Sequence, residues 1–267
     1  MASQPVYQFY AELLYYEPKI CRRFQVLSNI TMSRLGYILM SMFEMKASHL
    51  FCFDVPCERN LRKQMEEFID DNNETFDKII RNVIGQDKHF EIITPDTLDD
   101  YEDEEVLDVS KYKVKNAVSN PKDIMIFTYD FGDNWQIHLV LEEVIVDKDL
   151  PGRELPRVLE GEGYGIIEDC GSTMGLEEMA KAFKKKKGAV YEDYHNWLGC
   201  DDLDLTTFDI ADANFRLKKV PRIYENIYER YEEPTQDTID FLERKYLQKS
   251  KKKYYLINTN KMNKLFT

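Results

Sequence analysis

The chain has 267 residues, of which 43% are hydrophobic and 32% charged, and it carries a formal net charge of -13 at pH 7. Its length suits one large domain or two small ones at roughly 150 residues each. The acidic balance argues against nucleic acid as the main direct ligand, because neutralising phosphates takes Lys and Arg. It is compatible with a solubilising surface, a cation site or an acidic face that meets a basic partner.

The five cysteines (Cys21, Cys52, Cys57, Cys170, Cys200) are an odd number at irregular spacing. This points to reduced thiols rather than a secreted disulfide framework. The opening MASQPVYQFYAELLYY lacks a basic region followed by an apolar run, and the most apolar helical stretch, 35–45, is too short to span a bilayer. A soluble, cytoplasmic protein with no membrane partner is expected.

In chain order, 6–15 (VYQFYAELLY) has the aromatic content and partial alternation of a strand. Glu17, Pro18 and Lys19 turn the chain, and 20–27 reads as the returning strand. Ser28 and Thr31 offer N-caps to a helix over 32–44, whose Leu35, Leu39, Met42 and Phe43 share one face. A third strand is expected over 48–54. From Glu58, Leu61, Met65, Phe68 and Ile69 and then Phe76, Ile79, Ile80 and Val83 recur at helical spacing, with Gly85 as a stop. The run TPDTLDDYEDEE at 94–105 reads as an exposed acidic loop.

Two strands are expected to flank YDFGDNW at 129–135. Helices follow over 175–187 and 191–198, each ended by a glycine, with another leading to Leu217. The remainder, 218–267, is charged, Tyr-rich and partly helical in pattern, and ends in a basic tail. The fold expected is α+β: a β-hairpin–helix–strand core resembling a β-grasp arrangement, an antiparallel sheet, a helical and acidic insert at about 58–105 and a helical C-terminal part.

Two constellations could carry chemistry. Asp130, Asp133 and Trp135 belong to a segment whose Gly-Asp and Asp-Asn pairs suit a tight hairpin. Their carboxylates could alternatively sit at a rim and hold a cation or move protons. The second is the loop holding Glu160, Glu162, Glu168, Asp169 and Cys170 among four glycines. Crowded acids repel by about 1 kcal/mol per close pair in water, so such a loop is either solvated or neutralised by a cation or basic partner.

His49, in an apolar segment, gains interest if the fold brings it beside Asp130 or Asp169. Cys52 and Cys57 have no second pair to complete a zinc motif. His138 and His195 have no cysteine pair nearby. The lysine runs 184–187 and 251–253 could touch nucleic acid, although the first also suits a helix C-terminus. No phosphate loop, dinucleotide fingerprint or nucleophile elbow occurs.

The ordered runs YDFGDNW, LEGEG and EDCG resemble the plasmid Ri-type open-reading-frame-three-like domains, also described as insertion-element passenger TnpR-family proteins. Residues 18–23 resemble that family's "PPIWRR" region and 48–50 its "SHLH" strand. The segment HNWLGCDDLDLTTFDIADANFRL resembles its ending. The resemblance covers about 6–217, with the insert and 218–267 as additions.

It implies an α+β domain of bacteria and mobile elements whose biochemical activity is poorly defined. The TnpR label implies recombination, but neither a serine- nor a tyrosine-recombinase constellation is visible. Where the family reads "GEGACPPEDCGG" this chain reads GEGYGIIEDCGS, so a site needing two thiols is broken, leaving Cys170.

Three functions follow as expectations. The first is a binding module for a protein partner, using His49, Asp130, Asp133, Glu162, Asp169 and Cys170 with Trp135, Glu160 and Glu168. The second is a metal-dependent hydrolase or nuclease, with a divalent cation on Asp130, Asp133, Glu162 and Asp169. The third is an acidic mimic of nucleic acid.

Overall fold

A computed structural model describes residues 4–65, 87–94, 106–146 and 152–245. The helical periodicity expected beyond Met65, the acidic run at 95–105 and the basic tail fall outside the described residues. The fold is α+β. It forms two compact units interleaved in sequence. The first comprises Met1–Leu14, Cys21–Gly36 and Leu50–Gly161; the second comprises Tyr15–Ile20, Tyr37–His49 and Glu162–Thr267. The second unit thus takes in residues on both sides of position 217.

The first unit is built on an eight-stranded sheet: β1 (Val6–Leu13), β2 (Cys21–Leu27), β3 (Phe51–Val55), β4 (Lys88–Glu91), β5 (Leu107–Asp108), β6 (Ile124–Tyr129), β7 (Trp135–Ile145) and β8 (Arg157–Glu162). Their order across the sheet is β5-β4-β3-β6-β7-β1-β2-β8. β1 pairs antiparallel with β2 and β7, β3 with β4 and β6, and β6 with β7, whereas β4 and β5 run parallel.

The hairpin, helix and strand expected at the start are present as β1, β2, α1 (Met32–Met42) and β3. Thr31 caps α1, its Oγ1 accepting from Arg34 N at 3.1 Å. β6 and β7 lie between β3 and the β1–β2 hairpin. The likeness to a β-grasp therefore stops at the order of elements along the chain.

Side chains alternate faces along a strand, so one register gives the sheet two chemistries. Tyr7, Phe9, Ala11 and Leu13 of β1 share the apolar face with Phe24, Phe51, Phe53, Phe127, Ile137 and Leu139, all buried. The Phe53 and Phe127 rings meet with centroids 5.0 Å apart, and Phe9 stacks on Phe24 at 5.6 Å.

The other face is half-buried and polar. Gln25 Nε2 donates to Gln8 Oε1 at 2.9 Å, Gln8 Nε2 to Glu142 at 3.2 Å, and Tyr10 Oη to Glu12 at 2.6 Å. Arg23 grips both oxygens of Glu142, at 2.7 and 3.0 Å, and also pairs with Glu160. His138 lies on the same face, and its pKa is lowered by burial first and then by Arg59 and Lys63, against the pull of Glu12. Arg59 and Lys63 belong to α2 (Cys57–Met65), whose Asn60 side chain exchanges two 2.9 Å hydrogen bonds with the backbone of Ile124.

The other helices are α3 (Val114–Ala117), α4 (Ser172–Lys185), α5 (Ala189–Leu198), α6 (Ile210–Arg216), α7 (Val220–Arg230) and α8 (Gln236–Leu242). Among the described residues no helix is long and apolar enough to cross a membrane. None of the five cysteines forms a disulfide among the described residues.

The bidentate bond from Arg23 holds the Glu142 carboxyl below its ordinary value of 4.5, with Gln8 adding to the effect and partial burial opposing it. A depressed carboxylate pKa stabilises the fold above the unfolded value and ceases to do so as pH falls through the folded one. Glu142→Gln should therefore cost about 0.5–1 kcal/mol at pH 7, the scale of a partly screened pair. Urea unfolding of both proteins across pH 2–7 should show the gap closing below pH 4.5.

Candidate functional site

The acidic glycine loop belongs mostly to the second unit, where it is tied to the segment that follows α1. Ile166 N donates to Phe43 O at 2.9 Å. Gly165 has φ +145°, and a Cβ there would lie 2.6 Å from the same carbonyl oxygen. The backbone approach at Phe43 thus requires glycine at 165. Arg244 then grips both oxygens of Glu44, and its Nε donates to Asp212 at 2.7 Å. Arg244 also donates to Tyr164 Oη at 3.3 Å. Burial raises the Tyr164 phenol to about 12.

Glu168 makes a further tie. It is only 8% exposed, and its carboxylate accepts from Lys46 N and from Ser48 Oγ, both at 2.6 Å. Two α7 tyrosines hold the same segment from another side, Tyr224 Oη donating to Met45 O at 2.5 Å and Tyr228 Oη to His49 O. Tyr37 stacks on Tyr228 with centroids 5.7 Å apart, and burial raises the pKa of all three phenols.

These bonds keep 46–49 out of the sheet, so β3 begins at Phe51 rather than at Ser48. His49, expected within a strand, instead lies just before it, with Nε2 3.7 Å from Asp169 Oδ1. Both side chains are partly exposed. Cys170 is buried, and its thiol donates to Ser172 O at 3.6 Å.

The loop also sets where α4 starts. The helix begins at Ser172, so Gly175, expected at its start, lies inside it. A Cβ on Gly175 would sit 1.7 Å from the carbonyl oxygen of Cys170, an impossible contact.

Asp130, Trp135 and Glu160 have structural roles in the first unit. Asp130 Oδ1 accepts from Gly132 N at 3.0 Å and from Asp133 N at 3.3 Å, which closes the turn between β6 and β7. Trp135 opens β7 and is fully buried. Glu160 pairs with Arg23 on the polar face of the sheet. Asp130 and Asp133 belong to the first unit, Glu162 and Asp169 to the second. Within the second unit His49 meets Asp169, and Glu168 and Cys170 are that residue's neighbours in the chain.

Sequence reasoning missed a different cluster in the first unit. Register places Cys52 opposite Glu91 and Asp54 opposite His89, so all four side chains share the polar face of the sheet. His89 Nδ1 is 2.7 Å from Asp54 Oδ1, and its Nε2 is 3.2 Å from Glu91 Oε2. Hydrogen bonds to these two acids, Asp54 first, raise the His89 pKa to about 10, while burial first and then the same acids push the Cys52 thiol to about 12. The only available signal was two short segments with polar residues at i and i+2, which is weak without the pairing.

A family model described as plasmid pRiA4b ORF-3-like protein matches residues 5–214. This agrees with the resemblance read from the motifs and does not extend to the TnpR label. The solved structures that match include the crystal structure of the protein of unknown function MM3350 from Methanosarcina mazei Go1. It is 24% identical, with a TM-score of 0.58 over 78% of this chain and 97% of that one. That likeness supports the α+β fold. No curated protein matches.

Two substitutions test the construction of the loop. Glu168→Ala removes two hydrogen bonds to a charged acceptor and should cost about 2–3 kcal/mol in chemical denaturation. Gly175→Ala should cost at least about 2 kcal/mol, since the loop or the first turn of α4 must move. An unchanged denaturation midpoint in either variant would contradict this account.

Proposed function

The chain belongs to the plasmid pRiA4b ORF-3-like family, and we propose that it works as a binding module whose contact surface is the loop over 162–172 with His49. The observation that carries this reading is the meeting of His49 and Asp169 at 3.7 Å on a half-exposed edge of a loop clamped from beneath. A fixed loop with accessible polar groups spends little conformational entropy on association. Beside it Met174, in the first turn of α4, is 78% exposed. An apolar anchor with a polar rim is the usual anatomy of a protein interface.

The chemistry of the site suits binding better than turnover. Its thiol is buried and donates to a backbone carbonyl, and its best-held carboxylate, Glu168, is occupied by Lys46 and Ser48. The partner class that fits is a protein presenting basic or hydrogen-bond-donating groups, in keeping with the net charge of -13.

The test is affinity capture from the source cell extract with the full chain, comparing the natural protein with His49→Ala, Asp169→Asn and Met174→Ser. A specific partner should be lost in these variants, retained by the turn variant Asp133→Asn, and weakened by added salt. Equal capture by folded site variants would end the proposal.

A further inference from the structure

The four-residue cluster on β3 and β4 has the composition and geometry of a metal site, and the inference does not rest on the reading of the second-unit loop. Cys52, Asp54 and His89 each offer one ligand atom, and these atoms lie within 4.8 Å of one another. We propose that Cys52 Sγ, one Asp54 oxygen and His89 Nδ1 bind a single cation of the zinc class, with Glu91 holding the ring from behind.

The two ring nitrogens decide the roles. Nδ1 faces Asp54 and Nε2 faces Glu91. With Nδ1 on the metal, Nε2–H donates to the Glu91 carboxylate, the arrangement that fixes tautomer and orientation in metal-bound histidines. One thiolate, one imidazole and one carboxylate form a borderline-soft donor set that selects zinc over magnesium or calcium.

Bonds of about 2.0–2.1 Å at tetrahedral angles separate N and O ligands by about 3.3 Å. The 2.7 Å between Nδ1 and Oδ1 is therefore short by a few tenths of an ångström, a rotamer adjustment for the half-buried ring. On binding, the thiol and the Nδ1 position each release a proton to solvent and each donate a lone pair to the cation.

Three protein ligands leave a fourth position for water or a ligand, the pattern of open rather than structural sites. Asp54 is exposed and Cys52 buried, so the open position faces outward from the sheet. Paired β-strands also hold the ligands more rigidly than a loop does.

The full chain, stripped with a chelator, is titrated with Zn²⁺ alone against a chromophoric chelator and separately with Co²⁺. One equivalent should bind, and the Co²⁺ form should show a thiolate-to-metal charge-transfer band. Cys52→Ser should abolish that band although four other thiols remain. Glu91→Gln should weaken Zn²⁺ about 10–100-fold. The proposal is overturned if the natural protein shows no such band or if Cys52→Ser keeps it. Should Cys52→Ser fail to fold, Asp54→Asn, at an exposed position, serves instead, and unchanged Zn²⁺ affinity in that variant overturns it equally.

Discussion

One buried carboxylate organises the second unit. Glu168 accepts from the backbone of Lys46 and the hydroxyl of Ser48. Through these bonds it fixes the path of the chain between α1 and β3. A buried carboxylate with both oxygens satisfied is a strong tie, whereas one deprived of partners carries the full desolvation penalty. The neighbouring geometry follows from it: His49 faces Asp169, Cys170 turns inward, and the carbonyl of Cys170 approaches a helix that must carry glycine at 175. The ion pairs of Arg244 with Glu44 and Asp212 reinforce the same region.

The first unit depends on a different constraint, the two-residue repeat of its strands. One register buries Phe9, Phe24, Phe53 and Phe127 together and lines the opposite face with a ladder from Gln8 to Glu142 and Arg23. The same repeat sets Cys52, Asp54, His89 and Glu91 on the polar face. A slip of β4 by one residue against β3 would send His89 and Glu91 toward the aromatic core and bring Phe90 out, which would break up the quartet. Packing therefore protects the cluster's geometry even where the cluster itself adds little stability.

Much of the architecture was legible in the chain. Alternating aromatics marked β1, and Thr31 marked the start of α1. The Asp130-to-Asn134 turn was readable because an Asx side chain bonding its own backbone is a local event. The grouping of His49 with Asp169 was anticipated as a condition, although His49 sits before its strand rather than within it. The cluster at His89 was not anticipated, because Asp54 and His89 meet only as cross-strand partners 35 positions apart.

By itself, the sequence determined the opening hairpin, α1, the two strands around the Asp130 turn, the family motifs and the acidic balance, all of which arise from residues within a few positions of one another. Only the tertiary structure decided which segments meet: the order of strands across the sheet, the bonds of Glu168 to residues 120 and 122 positions away, and the quartet on β3 and β4. Periodicity states which face a side chain takes but not which strand will lie beside it. That choice is made by the packing of the whole core, where many weak apolar contacts select one arrangement and carry the polar groups into place.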